Sequence, residues 1–134
     1  MLKFIFLILL TFNLVADGKE KSMQITIESN GEKTIFELND SDAAKELYTQ
    51  LPLNIDVENF GSNEKIFYPP KKLSTSNTPP ANAKNGTLAY YAPWGDVVMF
   101  YKDFGAAKGL YELGSCISAC ENIKNMSGTI NIHK

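Results

Sequence analysis

The segment Thr87–Phe104 restricts the fold of this chain more than any other part of the sequence. Two runs rich in Tyr, Phe and Val, Thr87–Ala92 and Asp96–Lys102, flank the tripeptide Pro93-Trp94-Gly95. Aromatic and β-branched residues favour strands, and a short segment containing Pro and Gly between two such runs is typical of a chain reversal. The segment therefore predicts an antiparallel pair of strands, around which a sheet must be built.

The region before it carries a second hairpin signal. Apolar residues at Met23, Ile25 and Ile27 alternate with polar ones, and Asn30-Gly31 separates this run from Thr34–Leu38. Period-two alternation predicts a half-buried strand, and Asn-Gly tolerates the positive φ angles of a tight hairpin turn. The sheet is therefore expected to contain more than one hairpin.

Helical signals are confined to two short stretches. Capping residues at Asn39–Asp42 precede an apolar helical pattern that ends before Pro52, and Ser115–Lys124 predicts a second short helix. The polar stretch Lys71–Gly86 predicts a surface loop. Many short strands, two short helices and no regular alternation of strand and helix indicate a mainly β fold, as a small barrel or closed sheet. The further strands are predicted over Leu53–Phe60, Glu64–Tyr68, Leu110–Leu113 and Thr129–His133.

The N-terminal residues have the composition of a secretory signal peptide. Lys3 is a short positive region, Phe4–Leu14 is mostly apolar, and Ala16-Asp17-Gly18 offers small residues for cleavage. The apolar run is too short to span a bilayer comfortably, so no stable membrane span is expected after cleavage. We predict a signal peptide over residues 1–18, one domain over 19–134, and a periplasmic or secreted location.

The composition argues against several classes of function. Lys+Arg total 13 against 15 Asp+Glu, a net charge of -2, so no overall positive charge favours nucleic acid. All 13 cations are Lys, and a chain without Arg lacks the guanidinium fork that binds carboxylate or phosphate through two parallel bonds. The only His is His133, and the sequence has no phosphate-loop, zinc-protease or nucleophile-elbow motif. We therefore expect no metal and no cofactor.

Cys116 and Cys120 are the two cysteines, four residues apart on one face of the predicted second helix. An even pair in an oxidising compartment predicts a local disulfide, and the Cα separation of such a helical pair is one that a disulfide can bridge. Two small buried thiols are the alternative. Redox chemistry is least favoured, because the spacing differs from Cys-x-x-Cys.

Four stretches of the chain form a family pattern. They are Leu51-Pro52-Leu53, Gly61-Ser62-Asn63-Glu64-Lys65, Tyr68-Pro69-Pro70 and, most densely, Gly86–Asp96 continuing to Phe104. With them, the run from Leu51 to Lys134 resembles the small bacterial and archaeal cyclophilin-like family. The resemblance implies a closed β-barrel of about eight strands capped by two short helices.

The activity of true cyclophilins does not transfer with this resemblance. Cyclophilins rotate X-Pro peptide bonds, and an active-site Arg holds the prolyl carbonyl while the amide loses its double-bond character. This chain has no Arg, and Lys65 is the nearest replacement, a point charge without the guanidinium fork. Fold and function must therefore be argued separately.

We expect a non-catalytic module that binds a peptide or a small apolar ligand in an aromatic groove. A weak peptidyl-prolyl isomerase using the same groove is the first alternative, and a protein–protein interaction domain is the second. For most of the aromatic residues, a place in the barrel core is the competing interpretation. The candidate groove residues are Phe60, Lys65, Tyr68, Tyr91, Trp94, Met99 and Tyr101, with Lys102 as a second polar anchor.

Overall fold

The structure is a computed structural model that describes residues 22–134. These residues form nine strands in one antiparallel sheet, with the order β3-β9-β1-β2-β8-β6-β7-β5-β4. Helix α1 lies between β2 and β3, and a 3-10 helix lies between β8 and β9. The bounds are β1 Gln24–Ser29, β2 Glu32–Leu38, α1 Asp42–Thr49, β3 Leu53–Asp56, β4 Glu58–Phe60, β5 Glu64–Phe67, β6 Thr87–Tyr91, β7 Asp96–Phe100, β8 Leu110–Ser118, the 3-10 helix Cys120–Asn125 and β9 Thr129–His133.

The two edges of this sheet belong to consecutive strands. β3 and β4 are the outermost strands, yet Val57 is the single residue between them along the chain. One residue spans at most about 3.6 Å, so the two edges must lie next to each other and the sheet must curl around. Val57 is buried, and its N–H donates to the Gly128 carbonyl at 2.9 Å. The result is a nearly closed barrel.

Local sequence signals account for the first elements. Asn30 and Gly31 have φ angles of 54° and 83°, as the tight turn between β1 and β2 requires. Along both strands every second side chain is buried, which confirms the predicted alternation. At the start of α1 the Ser41 hydroxyl accepts a hydrogen bond from the Ala44 N–H at 3.2 Å, and the helix ends at Thr49.

The barrel wall is buried on both sides at β7, whose five residues are all buried and, apart from Asp96, apolar. Val97 and Met99 belong to the main core inside the barrel, whereas Val98 and Phe100 pack on its outer side. Successive residues of a strand point to opposite faces, so this division follows from the pleat. We call the outer set the outer cluster; its buried members are Ile66, Ala81, Ala83, Ala89, Val98, Phe100 and Leu110.

The predicted surface loop between β5 and β6 covers the outer cluster. The Ala81 N–H donates to the Leu110 carbonyl at 2.9 Å, and the Ala83 N–H donates to the Gly105 carbonyl at 2.8 Å. Buried backbone groups need such partners, and these bonds tie the loop to the β7–β8 connection and to the start of β8. The loop therefore forms one wall over the outer side of the barrel.

The structure has nine strands where the family resemblance implied about eight. The predicted strand Leu53–Phe60 divides at Val57, because its first half pairs with β9 and its second half with β5. The mainly β, barrel-shaped fold with two short helices is confirmed.

The second helix is shorter than predicted and of a different type. The sequence predicted a helix over Ser115–Lys124, but β8 continues to Ser118 and a 3-10 helix begins at Cys120. β8 extends because it pairs with β2 on one side and β6 on the other, and this pairing overrides the local helical signal. A disulfide joins Cys116 to Cys120, with a Cα–Cα distance of 5.8 Å, across the turn between strand and helix.

The predicted signal peptide, residues 1–18, lies outside the described residues. Among residues 22–134, no helix has the length and apolar character needed to cross a bilayer.

Candidate ligand-binding pocket

A pocket of about 210 Å³ opens on the outer side of the barrel, next to the outer cluster. Five neighbouring strands, β4 to β8, contribute to its wall, together with the β6–β7 turn and the β7–β8 connection. Its lining residues are Phe60, Glu64, Tyr91, Trp94, Asp96, Phe100, Phe104, Ala107 and Leu110.

Aromatic rings dominate the pocket. Trp94 meets Phe60 edge to face, with ring centroids 5.1 Å apart, and meets Tyr91 in the same way at 5.6 Å. Opposed edges and faces of this kind are favourable because the ring edge is positive and the face negative. Phe60, Trp94 and Phe104 are nevertheless 44%, 47% and 46% exposed. The aromatic rim is therefore ordered by its own contacts but left open to a further molecule.

Backbone hydrogen bonds place the two most exposed parts of this rim. In the β6–β7 turn the N–H groups of Trp94 and Gly95 both donate to the Tyr91 carbonyl, at 3.2 and 2.8 Å. In the β7–β8 connection the Phe104 N–H donates to the Ala83 carbonyl at 2.9 Å. Trp94 is thus held by the hairpin, whereas Phe104 is held by the loop that covers the outer cluster.

Asp96 is a buried carboxylate in this otherwise apolar setting. It is 2% exposed, and its Oδ1 has no hydrogen-bond partner among the described residues. Burial raises the pKa of its carboxyl group from 3.8 to about 6, and a hydrogen bond from its own backbone N–H lowers it by a smaller amount. A strongly shifted pKa in a concave site is a common mark of function.

Glu64 adds a second carboxylate to the pocket from the neighbouring strand. It lies opposite Phe100 in the β5–β7 pairing, and it is partly buried. Burial raises its pKa, and the Asp96 carboxylate raises it further. The pocket therefore combines an aromatic rim with two acidic groups whose charges repel each other.

The structure brings three of the seven sequence candidates into the pocket: Phe60, Tyr91 and Trp94. Tyr68 follows the end of β5 on the outer side, where desolvation and then the Asp96 and Glu58 carboxylates raise the pKa of its phenol.

The other candidates lie away from the pocket. Met99 is fully buried in the main core, and Tyr101 packs against that core from its margin. Lys65 pairs with Met99 on the same face of the sheet, and its ammonium group donates to the Asn59 side chain. The second polar anchor, Lys102, is exposed and is not among the lining residues. The structure thus brings no predicted lysine anchor into the pocket.

Sequence reasoning missed both carboxylates and the far side of the pocket. One signal for Asp96 was available in the sequence. It is the only acid in the run Asp-Val-Val-Met-Phe, which lacks the alternation of apolar and polar residues expected of a half-exposed strand and so indicates burial on both faces. Phe104 and Ala107 reach the pocket from the β7–β8 connection and Leu110 from the start of β8, and nothing in their local pattern signals this.

Comparisons with known proteins agree with this architecture. A hypothetical protein from Archaeoglobus fulgidus, whose structure was solved in solution, is similar with a TM-score of 0.65 at 14% sequence identity. The similarity covers 87% of this chain and 97% of that chain, and at this identity it establishes the fold alone. A comparison with curated proteins found no match.

The family resemblance seen in the sequence is confirmed. Residues 27–133 match the cyclophilin-like family, a span that includes nearly all of the barrel and every residue of the pocket. This chain belongs to the cyclophilin-like family.

Proposed function

We propose that this cyclophilin-like domain is a non-catalytic binding module that holds one apolar group, a peptide side chain or a small ligand, in the outer pocket. The observation that carries the proposal is the open aromatic rim, in which Phe60, Trp94 and Phe104 are each more than 40% exposed around one concave site. Concave, mostly apolar sites with a few polar groups are the usual form of ligand pockets.

The size of the pocket limits what can enter it. Pockets for drug-sized ligands measure about 300–1,000 Å³. At about 210 Å³, this pocket suits a single side chain or a small molecule of similar size. A peptide would therefore be held by one anchoring residue, with its backbone outside.

An exported location fits the same proposal. The Cys116–Cys120 disulfide supports it, since disulfides persist mainly in oxidising compartments such as the periplasm and the extracellular space. The predicted signal peptide would deliver the domain there.

Proline isomerisation is disfavoured by the charge of the pocket. An isomerase must stabilise a partly negative prolyl carbonyl oxygen, whereas the ionisable groups nearest the aromatic rim, Glu64 and Asp96, would repel it. Lys65 lies on the other face of β5. We expect a protease-coupled assay with a proline peptide to give the uncatalysed rate, with times of tens to hundreds of seconds. A faster rate that Trp94→Ala removes would contradict this expectation.

Because Trp94 is the only tryptophan, its fluorescence reports on the pocket directly. We suggest titrating the full chain with three probes of similar shape and different charge, benzyl alcohol, benzylamine and benzoate. At least one of them should change the Trp94 emission in a saturable way. Phe60→Ala should weaken that binding about fivefold, because one aromatic contact contributes about 1 kcal/mol.

The matched control is Ile117→Ala, which removes an equally exposed apolar side chain that does not line the pocket. It should leave the affinity unchanged. If none of the three probes affects Trp94, or if Ile117→Ala weakens binding as much as Phe60→Ala does, the pocket is not the binding site. A protein–protein interaction surface would then be the better explanation of the exposed rings.

A further inference from the structure

We infer that the ligand of this pocket carries an organic ammonium group on a short apolar stem, with the ammonium held at the Asp96 carboxylate and the stem packed among the aromatic rings. The inference rests on the proposed function, because it specifies the chemistry of the molecule that the same pocket binds.

The first observation is the unpartnered carboxylate. Only 2% of Asp96 is exposed, and its Oδ1 accepts no hydrogen bond from residues 22–134. A buried ionised carboxylate without a partner is costly, so proteins normally pair it or bind a cation there. Within the described residues the one ion pair joins His133 to Glu28, and neither of these residues lines the pocket. Because Asp96 lines the pocket, a ligand that enters it can bring a donor to this carboxylate.

The second observation is the arrangement of groups around that carboxylate. Glu64 adds negative potential from β5, so a cation in the pocket would relieve both the missing hydrogen bond and the repulsion between the two acids. Tyr91 and Trp94 line the same space. Cations are attracted to the negative faces of such rings, and an aromatic site with a carboxylate is a common way to recognise an ammonium group.

A metal ion fits the site less well. Among the described residues no group of three or more His, Cys, Asp or Glu side chains is placed to hold a metal. Calcium takes about six to eight oxygen ligands, and this pocket offers two carboxylates among apolar walls. An organic cation uses both the charge and the apolar surface, and this is why we favour it.

The affinity of the pocket for an ammonium ligand should depend on pH. The ionisable groups that face Asp96 are Glu64 and Tyr68 from the β5 side and Tyr91 from β6, and the stem of Lys72 lies beside Gly95. Burial raises the pKa of the Asp96 carboxyl to about 6. An ammonium ligand binds the ionised form, so its affinity should rise with pH through this value and level off above it.

The decisive probes are benzylamine and benzyl alcohol, which differ in charge but hardly in shape. We expect benzylamine to bind at least tenfold more tightly near neutral pH, since a hydrogen bond to a charged group contributes about 1.5–3 kcal/mol. Between about pH 7.5 and pH 4.5 the affinity for benzylamine should fall at least tenfold, while the affinity for benzyl alcohol changes little.

Asp96→Asn removes the charge and keeps the shape. It should lower the affinity for benzylamine at least tenfold and flatten its pH dependence, while benzyl alcohol still binds and so shows that the pocket is intact. The matched control is Asp40→Asn, an exposed carboxylate outside the pocket, which should change neither.

A second pair of probes separates the two sources of such a group. An acetylated and amidated Ala-Lys-Ala peptide is compared with the same peptide carrying norleucine in place of lysine. If the lysine peptide binds at least as tightly as benzylamine and the norleucine peptide does not, the ligand is a lysine side chain. If benzylamine binds and neither peptide does, the ligand is a free small amine.

Three results would overturn the inference. Equal affinity for benzyl alcohol and benzylamine would reject the ammonium while leaving the proposed function standing. A response to calcium chloride without a response to benzylamine would assign the carboxylates to a metal. Absence of any response from Trp94 to all probes would reject the proposed function together with the inference.

Discussion

The free energy of unfolding of Asp96→Asn, relative to that of the unmodified protein, should increase as the pH rises from acid to neutral. The pKa of the Asp96 carboxyl is 3.8 in an unfolded chain and about 6 in the folded protein. Between pH 3.8 and pH 6 the folded state therefore binds more protons than the unfolded state. A group whose folded pKa is raised contributes stability at low pH that is lost as the pH rises through the folded pKa. The difference corresponds to about 3 kcal/mol.

Urea denaturation of both proteins at several values between about pH 4 and pH 7.5 measures this effect. The free energy of unfolding of Asp96→Asn minus that of the unmodified protein should increase by about 2 kcal/mol over this range, which covers most of the full effect. All other ionisable groups are present in both proteins and largely cancel. The control Asp40→Asn changes an exposed carboxylate outside the pocket in the same way. If the difference for Asp96→Asn does not change with pH, its carboxyl has the same pKa in the folded and unfolded protein.

Gly114→Ala should be the most destabilising single-methyl change in the barrel. Gly114 lies in β8 between two partner strands, opposite Leu38 of β2 and Leu88 of β6. A Cβ atom added there would come within 2.1 Å of the Glu37 carbonyl oxygen and 2.9 Å of the Leu38 Cα. Both are backbone atoms, so the contact can be relieved only by moving the strands apart. We expect a loss of about 3 kcal/mol, the upper part of the range for overpacked cores.

Thermal unfolding measures this loss as a drop in Tm of about 10 °C for a domain of this size. The neighbouring substitution Ser115→Ala is the matched control, because Ser115 is in the same strand but its side chain is exposed. It should change the Tm by no more than about 2 °C. A similar Tm for Gly114→Ala and the control would show that β2 and β8 have more freedom to separate than their hydrogen-bonded register implies.

The strands and the first helix could be predicted from local sequence because their signals are local. Asn30-Gly31 requires a tight turn, Ser41 caps a helix, and the alternation before the turn marks one buried face. The helix predicted over Ser115–Lys124 was wrong because β8 pairs with two neighbouring strands, and residues distant in the chain decide this pairing. Local propensity cannot report on such partners.

The pocket was predictable only in part, for a related reason. Phe60, Tyr91 and Trp94 were found because aromatic density is visible in a sequence. β7 is buried on both faces, so its pattern does not reveal which side faces the barrel interior, and Met99 was assigned to the groove although it lies in the core. Lys65 was chosen as the polar anchor for its charge, but the structure has Asp96 at the pocket and Lys65 on the opposite face. The negative charge of the pocket could therefore be recognised only from the strand pairing.

The junction at Val57 has a consequence for how copies of this protein behave together. An open sheet offers unpaired N–H and C=O groups at its edges, where strands of another molecule can add and start aggregation. Here the two edge strands are four and three residues long and follow each other along the chain with one residue between them, so neither leaves a long free edge. An incoming strand would find little length to pair with. We therefore expect that this sheet, although rich in β-branched and aromatic residues, resists growth into fibres at high local concentration.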